Sequence, residues 1–368
     1  MRIAMLAPIA WRTPPRHYGP WELVTSLLTE ALVRKGVEVT LFATLDSETS
    51  GKLDGVVPAP YGEDPAIDAK VWEYRHLAHV FGRADQFDII HNQADFPAHA
   101  FANMIDTPMV TTIHGFSSDR ILPMYAPYQD RVHYVAISEA DRHPALRYAA
   151  TIHHGIDVES FPFDPIGSED LLFFGRMHPD KGADAAMKVA EATGRSLNLY
   201  GIVQDEGYFE REVQSRLSDS ARFHGAVGGE QRLKALGSAK ALLHLIDFEE
   251  PFGLSVVEAM ACGTPVIASR RGSMSEIIEE GVNGFLVNSH EEAIAAVGKL
   301  DQIDRAGVRQ SVERRFHVDR MADEYIALYR SIIGGRKKPP VRTIIDDALK
   351  AAANTPPVQG GAIALDSV

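Results

Sequence analysis

Hydrophobic residues near the start of the chain fall into short continuous runs separated by a segment with helical spacing. Residues 2–7 and 37–43 form two apolar runs of the length typical of buried strands. Between them, residues 21–35 place leucines and alanines on one helical face, and Gly36 follows as a stop signal. A strand, a helix and a strand within the first 43 residues predict a βαβ unit, and therefore a parallel sheet.

The same alternation continues along most of the chain. Further short strands are predicted at residues 87–91, 109–113, 134–137, 171–174, 196–200, 241–245 and 265–268, and helices at 183–193, 254–262 and 316–333. A stretch with two prolines at residues 161–170 separates the strands into two groups, so the chain is predicted to hold two α/β halves. Because ligands bind beyond the carboxyl ends of parallel strands, the polar residues that follow these strands are candidate site residues.

The composition is that of a globular protein and argues against several classes of function. The 368 residues suit two domains, and 45% are hydrophobic while 24% are charged. A formal net charge of −13 argues against nucleic-acid binding and against strong attraction to an anionic membrane. The single cysteine, Cys262, excludes an intramolecular disulfide, and the N-terminal apolar run is too short for a signal peptide. We therefore expect a cytoplasmic protein.

Two carboxylates stand eight positions apart in the segment D-F-E-E-P-F-G-L-S-V-V-E-A-M-A-C-G-T-P-V, residues 247–266. Glu250 is predicted just before a helix N-terminus, where free amide groups and the helix dipole favour an anion. Glu258 lies about one turn inside that helix. Both could be solvated glutamates of a surface helix, but Glu258 is flanked by apolar residues, where an unpaired carboxylate is costly.

This segment resembles the E-x7-E signature of retaining GT-B glycosyltransferases, particularly those of glycosyltransferase family 4. The resemblance implies that Glu250 lies at the donor sugar and that Glu258 binds the ribose hydroxyls of the nucleotide. It also implies that the backbone amides of Phe252, Gly253 and Leu254 meet the sugar and the diphosphate.

A second match, Phe173-Phe174-Gly175-Arg176 followed by Lys181-Gly182, resembles the F-x-G-R-x4-K-G element of the same family. The resemblance implies that Arg176 and Lys181 hold the donor diphosphate, with Gly175 beside it. Two fixed cations there would stabilise the negative charge that the leaving diphosphate gains in the transition state. Taken alone, an arginine and a lysine at this spacing are commonly a solvated pair.

Three further positions take their predicted roles from the resemblance. His114, at the end of a predicted strand, would contact the donor sugar from the opposite domain; without the resemblance it could equally be a core or capping histidine. Gly19 would approach a phosphate through its amide in a turn where the following Pro20 has no N–H to donate. Val227 lies where the nucleobase would be met by backbone groups.

The resemblance implies an α/β fold of the GT-B type, two Rossmann-like parallel-sheet domains facing a central cleft. The expected divisions are an acceptor-side domain at 1–160, a nucleotide-sugar domain at 161–317, and a final helix at 318–334 that packs back on the first domain. The composition of residues 335–368 predicts a mostly mobile tail, with at most a short helix at 343–353.

The implied function is transfer of a hexosyl group from a nucleotide sugar to a hydroxyl with retention of configuration. UDP-glucose is the preferred donor and GDP-mannose the next. The acceptor is open between a saccharide, a lipid-linked saccharide and a small molecule, and loops at 45–68 and 117–129 are expected to face it. Arg12 and Arg16 could face it too, or could be solvated. A nucleotide-sugar hydrolase or epimerase of the same fold, or a non-catalytic sugar-binding protein, remain alternatives.

No cofactor and no metal are expected. The chain contains no Asp-x-Asp sequence, the metal-binding device of the other main glycosyltransferase fold. Among its histidines, His76 and His79 have the spacing of helical metal ligands but no matching carboxylate or cysteine partner, so they are predicted to be surface residues.

Overall fold

The computed structural model of the chain describes residues 1–17, 19–115 and 119–335. The predicted tail beyond residue 335, its short helix at 343–353, Tyr18 of the turn before Gly19, and the first part of the 117–129 loop lie outside the described residues.

Strands form two separate sheets in which every pairing is parallel. The strands are β1 (Arg2–Leu6), β2 (Glu38–Thr44), β3 (Lys52–Val57), β4 (Ile89–Asn92), β5 (Met109–Ile113), β6 (Val132–Ala136), β7 (Tyr148–Thr151), β8 (Leu171–Phe174), β9 (Leu197–Tyr200), β10 (Ala221–Phe223), β11 (Ala241–His244), β12 (Val266–Ser269) and β13 (Gly284–Val287). The first sheet has the order β3-β2-β1-β4-β5-β6-β7 and the second the order β10-β9-β8-β11-β12-β13. The predicted fold class, two Rossmann-like parallel-sheet domains, is therefore confirmed.

Helices connect the strands of both sheets. They are α1 (Pro20–Arg34), α2 (Ala69–Phe81), α3 (Leu122–Tyr125), α4 (Ala183–Thr193), α5 (Glu206–Tyr208), α6 (Gly229–Ser238), α7 (Leu254–Ala261), α8 (Met274–Ile277), α9 (His290–Val297), α10 (Arg305–Arg315) and α11 (Val318–Gly334). Within the described ranges, no helix is both long and apolar enough to cross a lipid bilayer.

The four strands that the hydrophobic pattern did not predict are the four sheet edges, β3, β7, β10 and β13. An edge strand has a neighbour on one side only, and β3, β7 and β10 are largely half-buried or exposed. Their sequences are correspondingly mixed or short and lack the continuous apolar run of a central strand. Because β3 lies within residues 45–68, the prediction that this whole segment is a loop was wrong.

The last helix, α11, belongs to the hydrophobic core of the first sheet although it follows the second sheet in the chain. Met321, Tyr325 and Tyr329 are almost completely buried there, together with residues of β1 and α1. At its start, Gly155 lies so close to α11 that an added Cβ would stand 2.6 Å from Val318 Cα. The chain therefore crosses between the two sheets twice.

Candidate functional site

The candidate site lies where the carboxyl ends of the two sheets face each other. In the first sheet, β5 is followed by His114 and Gly115; in the second, β11 leads into a loop that carries Glu250 and Pro251. A Cβ on Gly115 would stand 3.1 Å from Pro251 Cγ, and the residue has a positive φ of 145°. Glycine thus allows the two loops to touch, which brings His114 and Glu250 to opposite walls of one cleft.

A second contact between the sheets lies beside this one and is made by Glu276 of α8. Its carboxylate accepts backbone N–H groups of Glu139 at 2.9 Å and Ala140 at 2.8 Å and lies 2.9 Å from His153 Nε2. All three partners belong to the N-terminal part of the chain. These contacts join the two walls of the cleft, so side chains of both walls can act on one ligand.

Glu250 is a buried carboxylate held by two cationic or potentially cationic groups. Its Oε2 lies 2.9 Å from Lys181 Nζ and 3.4 Å from His244 Nε2, and its side chain is 13% exposed. Burial by itself would raise the pKa of Glu250, but the approach of His244 and the Lys181 ammonium outweighs it and lowers the pKa to about 2. Glu250 is therefore ionised at every physiological pH.

Lys181 reaches Glu250 because the turn that carries it packs tightly on the end of β11. Gly182 has a φ of 70°, and a Cβ there would stand only 2.0 Å from the carbonyl oxygen of Leu245. The Asp247 N–H also donates to the Asp180 carbonyl at 2.9 Å. The Lys181 ammonium lies 4.3 Å from the centroid of the Phe248 ring, which adds a cation–π contact. The close approach of Leu245 thus explains why a glycine follows the lysine in this motif.

The loop between Glu250 and α7 is fixed by Ser273. The Ser273 N–H donates to the Glu250 carbonyl at 2.9 Å, and its hydroxyl donates to the Phe252 carbonyl at 2.8 Å. Phe252 is buried against the His154 ring, with centroids 5.0 Å apart. Gly253 then begins α7 in a left-handed conformation, and no side chain caps this helix terminus. No side chain therefore occupies the first amides of α7, including that of Leu254, where the resemblance implies contacts with the sugar and the diphosphate.

Glu258 is buried inside α7 and is paired with Arg232 of α6. The Arg232 guanidinium also stands 5.8 Å from the Phe174 ring centroid, at the end of β8. Arg232 is a site residue that the sequence analysis missed, because an arginine on the partly exposed helix α6 carries no spacing signal that links it to Glu258. A carboxylate oriented by this arginine can accept hydrogen bonds from a vicinal diol.

Gly175 and Arg176 follow β8 directly, and β8 is the neighbour of β11 in the sheet. Arg176 is half-buried and donates to Gln204, which lies in the loop after β9. Val227 lies farther along the same sheet edge, between β10 and α6, and is half-buried. The sheet therefore orders the motif residues along its carboxyl edge as Val227, Arg176 and Glu250.

His114, on the opposite wall, is fixed by contacts on both of its ring nitrogens. Its Nε2–H donates to Gln93 Oε1 at 2.6 Å, and its Nδ1 lies 3.4 Å from His154 Nε2. The Trp21 ring stacks on it with centroids 5.3 Å apart. Burial lowers the pKa of His114 to about 3, so the imidazole is neutral at physiological pH.

A buried hydrogen-bond network continues from Gln93 to α11. The Gln93 amide donates to His91 Nε2 at 3.1 Å, and His91 Nδ1–H donates to the Tyr329 hydroxyl at 2.5 Å. Thr112 lies 2.8 Å from His91 Nε2 and 2.7 Å from the Tyr325 hydroxyl. The sequence gives no local signal for the connection to α11. The two hydrogen bonds that reach this helix join residues more than 200 positions apart.

A cavity of about 490 Å³ adjoins His114 at the carboxyl edge of the first sheet. Trp21 and Glu22, at the start of α1, form one wall, and residues 94–97 after β4 form another. Gly19 begins α1, and a Cβ there would stand 2.9 Å from Glu22 Oε2.

The prediction that His76 and His79 are surface residues was wrong. His76 is buried and hydrogen-bonds to the Ala7 carbonyl at 3.1 Å, and His79 lies 2.8 Å from Asp54 of the edge strand β3. Both are on α2, whose inward face packs on the first sheet. Across the described residues, the side chains form no group of three or more His, Cys, Asp or Glu that could hold a metal ion.

Arg12 and Arg16, for which two interpretations were open, are both engaged in ion pairs. Arg12 pairs with Glu48 at 2.9 Å, and Arg16 pairs with Asp46 at 3.0 Å and with Glu63 at 2.5 Å.

We expect Glu258→Ala to weaken binding of the plain nucleotide by about 10- to 100-fold, the loss for a charge-assisted hydrogen bond. Glu250→Ala should change that affinity much less and should mainly lower the transfer rate. Calorimetry with plain UDP separates the two variants, and Glu249→Ala, at the adjacent 70% exposed side chain, is the control. Equal loss of UDP affinity in the Glu250 and Glu258 variants would contradict these roles.

Two family-wide sequence profiles match the chain, one in each half. Residues 22–160 match "Glycosyltransferase Family 4", and residues 162–307 match "Glycosyl transferases group 1". Among individual relatives, the D-inositol 3-phosphate glycosyltransferase of Streptomyces griseus is 28% identical over 269 residues. That match covers 60% of this chain and 56% of the relative, so the chain spans little more than half of that protein.

Solved structures with the same architecture include AviGT4, a glycosyltransferase involved in avilamycin A biosynthesis. It is 25% identical, with a TM-score of 0.68 over 91% of this chain and 98% of its own. HepE of Anabaena, solved in complex with UDP-glucose, is 18% identical, with a TM-score of 0.67 over 90% of this chain and 100% of its own. The latter shows a likeness of fold alone.

Proposed function

Because the chain belongs to the GT-B glycosyltransferases of the family 4 type, we propose that it is a retaining hexosyltransferase using a nucleotide-sugar donor. The proposed donor is UDP-glucose, with GDP-mannose as second choice, and the UDP-glucose complex of the similarly folded HepE supports the first. The acceptor supplies a hydroxyl group.

The observation that carries this proposal is the set of fixed cationic side chains and uncapped helix amides at the ends of β8 and β11. Lys181 lies 2.9 Å from Glu250, Arg176 follows the neighbouring strand, and the uncapped N-terminus of α7 stands in the same loop. A leaving nucleoside diphosphate gains negative charge as the glycosidic bond breaks, and these groups are fixed before it does. An isolated sugar-binding site would have no need of this arrangement.

We assign each of these residues one part of the reaction. Arg176, Lys181 and the amides at Gly253 and Leu254 would hold the diphosphate, and Glu258 would hold the ribose. Glu250 would hydrogen-bond the donor sugar from one wall, and the neutral His114 would contact it from the other. We propose that a diphosphate oxygen takes the acceptor proton on the face where the acceptor enters, the front-face mechanism that the resemblance to retaining glycosyltransferases implies.

The anomeric configuration of the product tests the proposed mechanism directly. From UDP-α-glucose we expect an α-linked product, because departure and attack occur on one face of the sugar. Proton NMR of the product measures the anomeric coupling of the new glycosidic bond directly. A β-linked product would contradict both retention and the use of the Glu250–Glu258 pair.

We further propose that turnover needs no divalent metal, since fixed cations and helix amides supply the charge that a metal would otherwise bring. The rate in excess EDTA should equal the rate without it. A loss of activity that magnesium or manganese restores would contradict this prediction.

A further inference from the structure

The cavity beside His114 has walls that are mainly aromatic and aliphatic. Four aromatic side chains line it: Trp11, Trp21, Tyr61 and Phe96. Trp21, one of these four, also stacks on the His114 ring, with centroids 5.3 Å apart. Flat aromatic walls of this kind suit the apolar C–H faces of sugar and cyclitol rings.

The charged groups of this cavity are all acidic. Its described lining includes Glu22, Glu73 and Asp95 and contains no lysine or arginine. The Tyr61 hydroxyl donates to Glu73 at 2.9 Å, and the Tyr125 hydroxyl donates to Asp95, so both carboxylates are already oriented. A phosphate or carboxylate ligand would meet like charge here with nothing to offset it.

Arg12 and Arg16, which lie between the lining residues Trp11 and Pro20 in the chain, cannot supply that offset without breaking contacts. Arg12, next to the lining residue Trp11, donates to the Pro14 carbonyl at 2.9 Å and pairs with Glu48. Arg16 is held between Asp46 and Glu63. Each guanidinium is thus neutralised by carboxylates of its own domain.

Two buried groups in the lining are suited to accept hydrogen bonds from hydroxyls. His76 Nε2–H donates to the Ala7 carbonyl, so its Nδ1 carries a lone pair, and this buried atom has no hydrogen-bond partner among the described residues. Glu22 is 3% exposed and accepts the Trp11 N–H at 3.2 Å through one oxygen. An unpaired buried acceptor is costly and is satisfied when a ligand hydroxyl arrives.

We propose that this cavity binds the acceptor and selects an uncharged sugar or cyclitol, excluding phosphorylated acceptors through its carboxylate-lined, arginine-free wall. This rests on the proposed glycosyltransferase function and names the substrate class of that site.

Matched pairs of acceptors test the selection. Glucose and glucose 6-phosphate, and myo-inositol and its 3-phosphate, are titrated by calorimetry into the protein with and without saturating UDP. UDP release from UDP-glucose is then measured for each compound. We expect each neutral compound to bind at least about 10-fold more tightly than its phosphorylated partner, the factor for one unfavourable charge contact. Preference for either phosphorylated compound, or no binding by any neutral compound, would overturn the proposal.

A variant links this selection to the cavity. Trp11→Ala should raise the neutral acceptor's KM by about 10-fold or more through loss of stacking, while the calorimetric Kd of UDP stays unchanged. The control is Tyr74→Ala, on the outward face of α2 and 55% exposed. Trp11→Phe keeps an aromatic wall and should retain most of the affinity. An unchanged acceptor KM in Trp11→Ala would overturn the assignment of the cavity.

The two proposals fail in different ways. If the protein binds no UDP or UDP-sugar, the proposed function fails, and binding of the neutral compounds alone still decides the cavity's selectivity. A different result would be that UDP-glucose binds and is slowly hydrolysed, while only phosphorylated acceptors accelerate UDP release. That result would support the proposed donor site and contradict the inference about the acceptor.

Discussion

Replacing Lys181 by alanine is expected to lower the rate of glycosyl transfer by about 100- to 1,000-fold, the cost of removing one fixed charge-stabilising group. The same change leaves the buried Glu250 carboxylate without its 2.9 Å partner. Removing one member of a buried ion pair typically costs about 3–5 kcal/mol in the free energy of unfolding. The Lys181→Ala variant should therefore show both a lower rate of glycosyl transfer and a lower free energy of unfolding.

A double variant separates the two effects. Glu250→Gln added to Lys181→Ala removes the unpaired charge, so more than half of the lost unfolding free energy should return while the rate stays low. Lys188→Ala is the control, because Lys188 forms a similar 2.9 Å pair with Asp184 at a 44% exposed position. Urea unfolding and single-turnover transfer measure the two quantities. Recovery of the rate in the double variant would contradict the proposed roles of both Lys181 and Glu250 in transfer.

Mild acid is expected to destabilise the N-terminal domain selectively. Burial lowers the pKa of His76 and His99 to about 4 and that of His91 and His114 to about 3. In the unfolded chain these histidines titrate near the ordinary value of about 6.5. Below that pH the unfolded state therefore binds more protons than the folded state, and stability falls as the pH is lowered.

Each histidine contributes about 1.4 kcal/mol per pH unit below 6.5, so the four together cost on the order of 6 kcal/mol by pH 5.5. Glu22 acts in the opposite direction, because burial raises its pKa to about 7 and the folded state takes up a proton there. Its gain by pH 5.5 is about 2 kcal/mol, which leaves a net loss on the order of 4 kcal/mol. Most domains have a total stability of only about 5–15 kcal/mol.

Tryptophan fluorescence reports this loss without interference from the other domain, since all three tryptophans lie at positions 11, 21 and 72. Urea titrations at pH 7.5 and pH 5.5 should show a marked drop in the unfolding midpoint by this probe. Glu22→Gln should steepen the decline because it removes the opposing proton uptake. A midpoint that does not change between the two pH values would contradict the neutral state of the buried histidines.

The parts of the fold that the sequence predicted are the buried central strands. The apolar runs of β1, β8 and β12 are continuous because both faces of a parallel sheet are covered. The edge strands β3, β7 and β10 are largely half-buried or exposed, so their sequences carry no comparable run. His76 and His79 of α2 show the same limitation. Each is paired with a group distant in the sequence, so nothing in its neighbourhood in the chain distinguishes it from a surface histidine.

Within the site, the sequence indicated those residues that stand at sharp turns of the backbone. Lys181-Gly182 and Gly253 stand at turns that only particular residues can form or fill, and such turns leave a recognisable spacing. Arg232, Gln93 and Ser273 act on residues of other segments through single side chains. Nothing in their own neighbourhood in the sequence distinguishes them, so the three-dimensional structure was needed to find them.

The placement of α11 has a consequence for how the chain matures on the ribosome. The N-terminal domain is synthesised first, yet its core is filled by Met321, Tyr325 and Tyr329, which are among the last described residues to be made. Until they emerge, the hydrophobic face of β1 and α1 and the polar groups around His91 lack their covering. The C-terminal sheet can be complete by then. The first domain to leave the ribosome is thus the second to finish folding, and the hydrogen-bond network behind Gln93, which itself bonds His114, is completed only when almost the whole described chain has been translated.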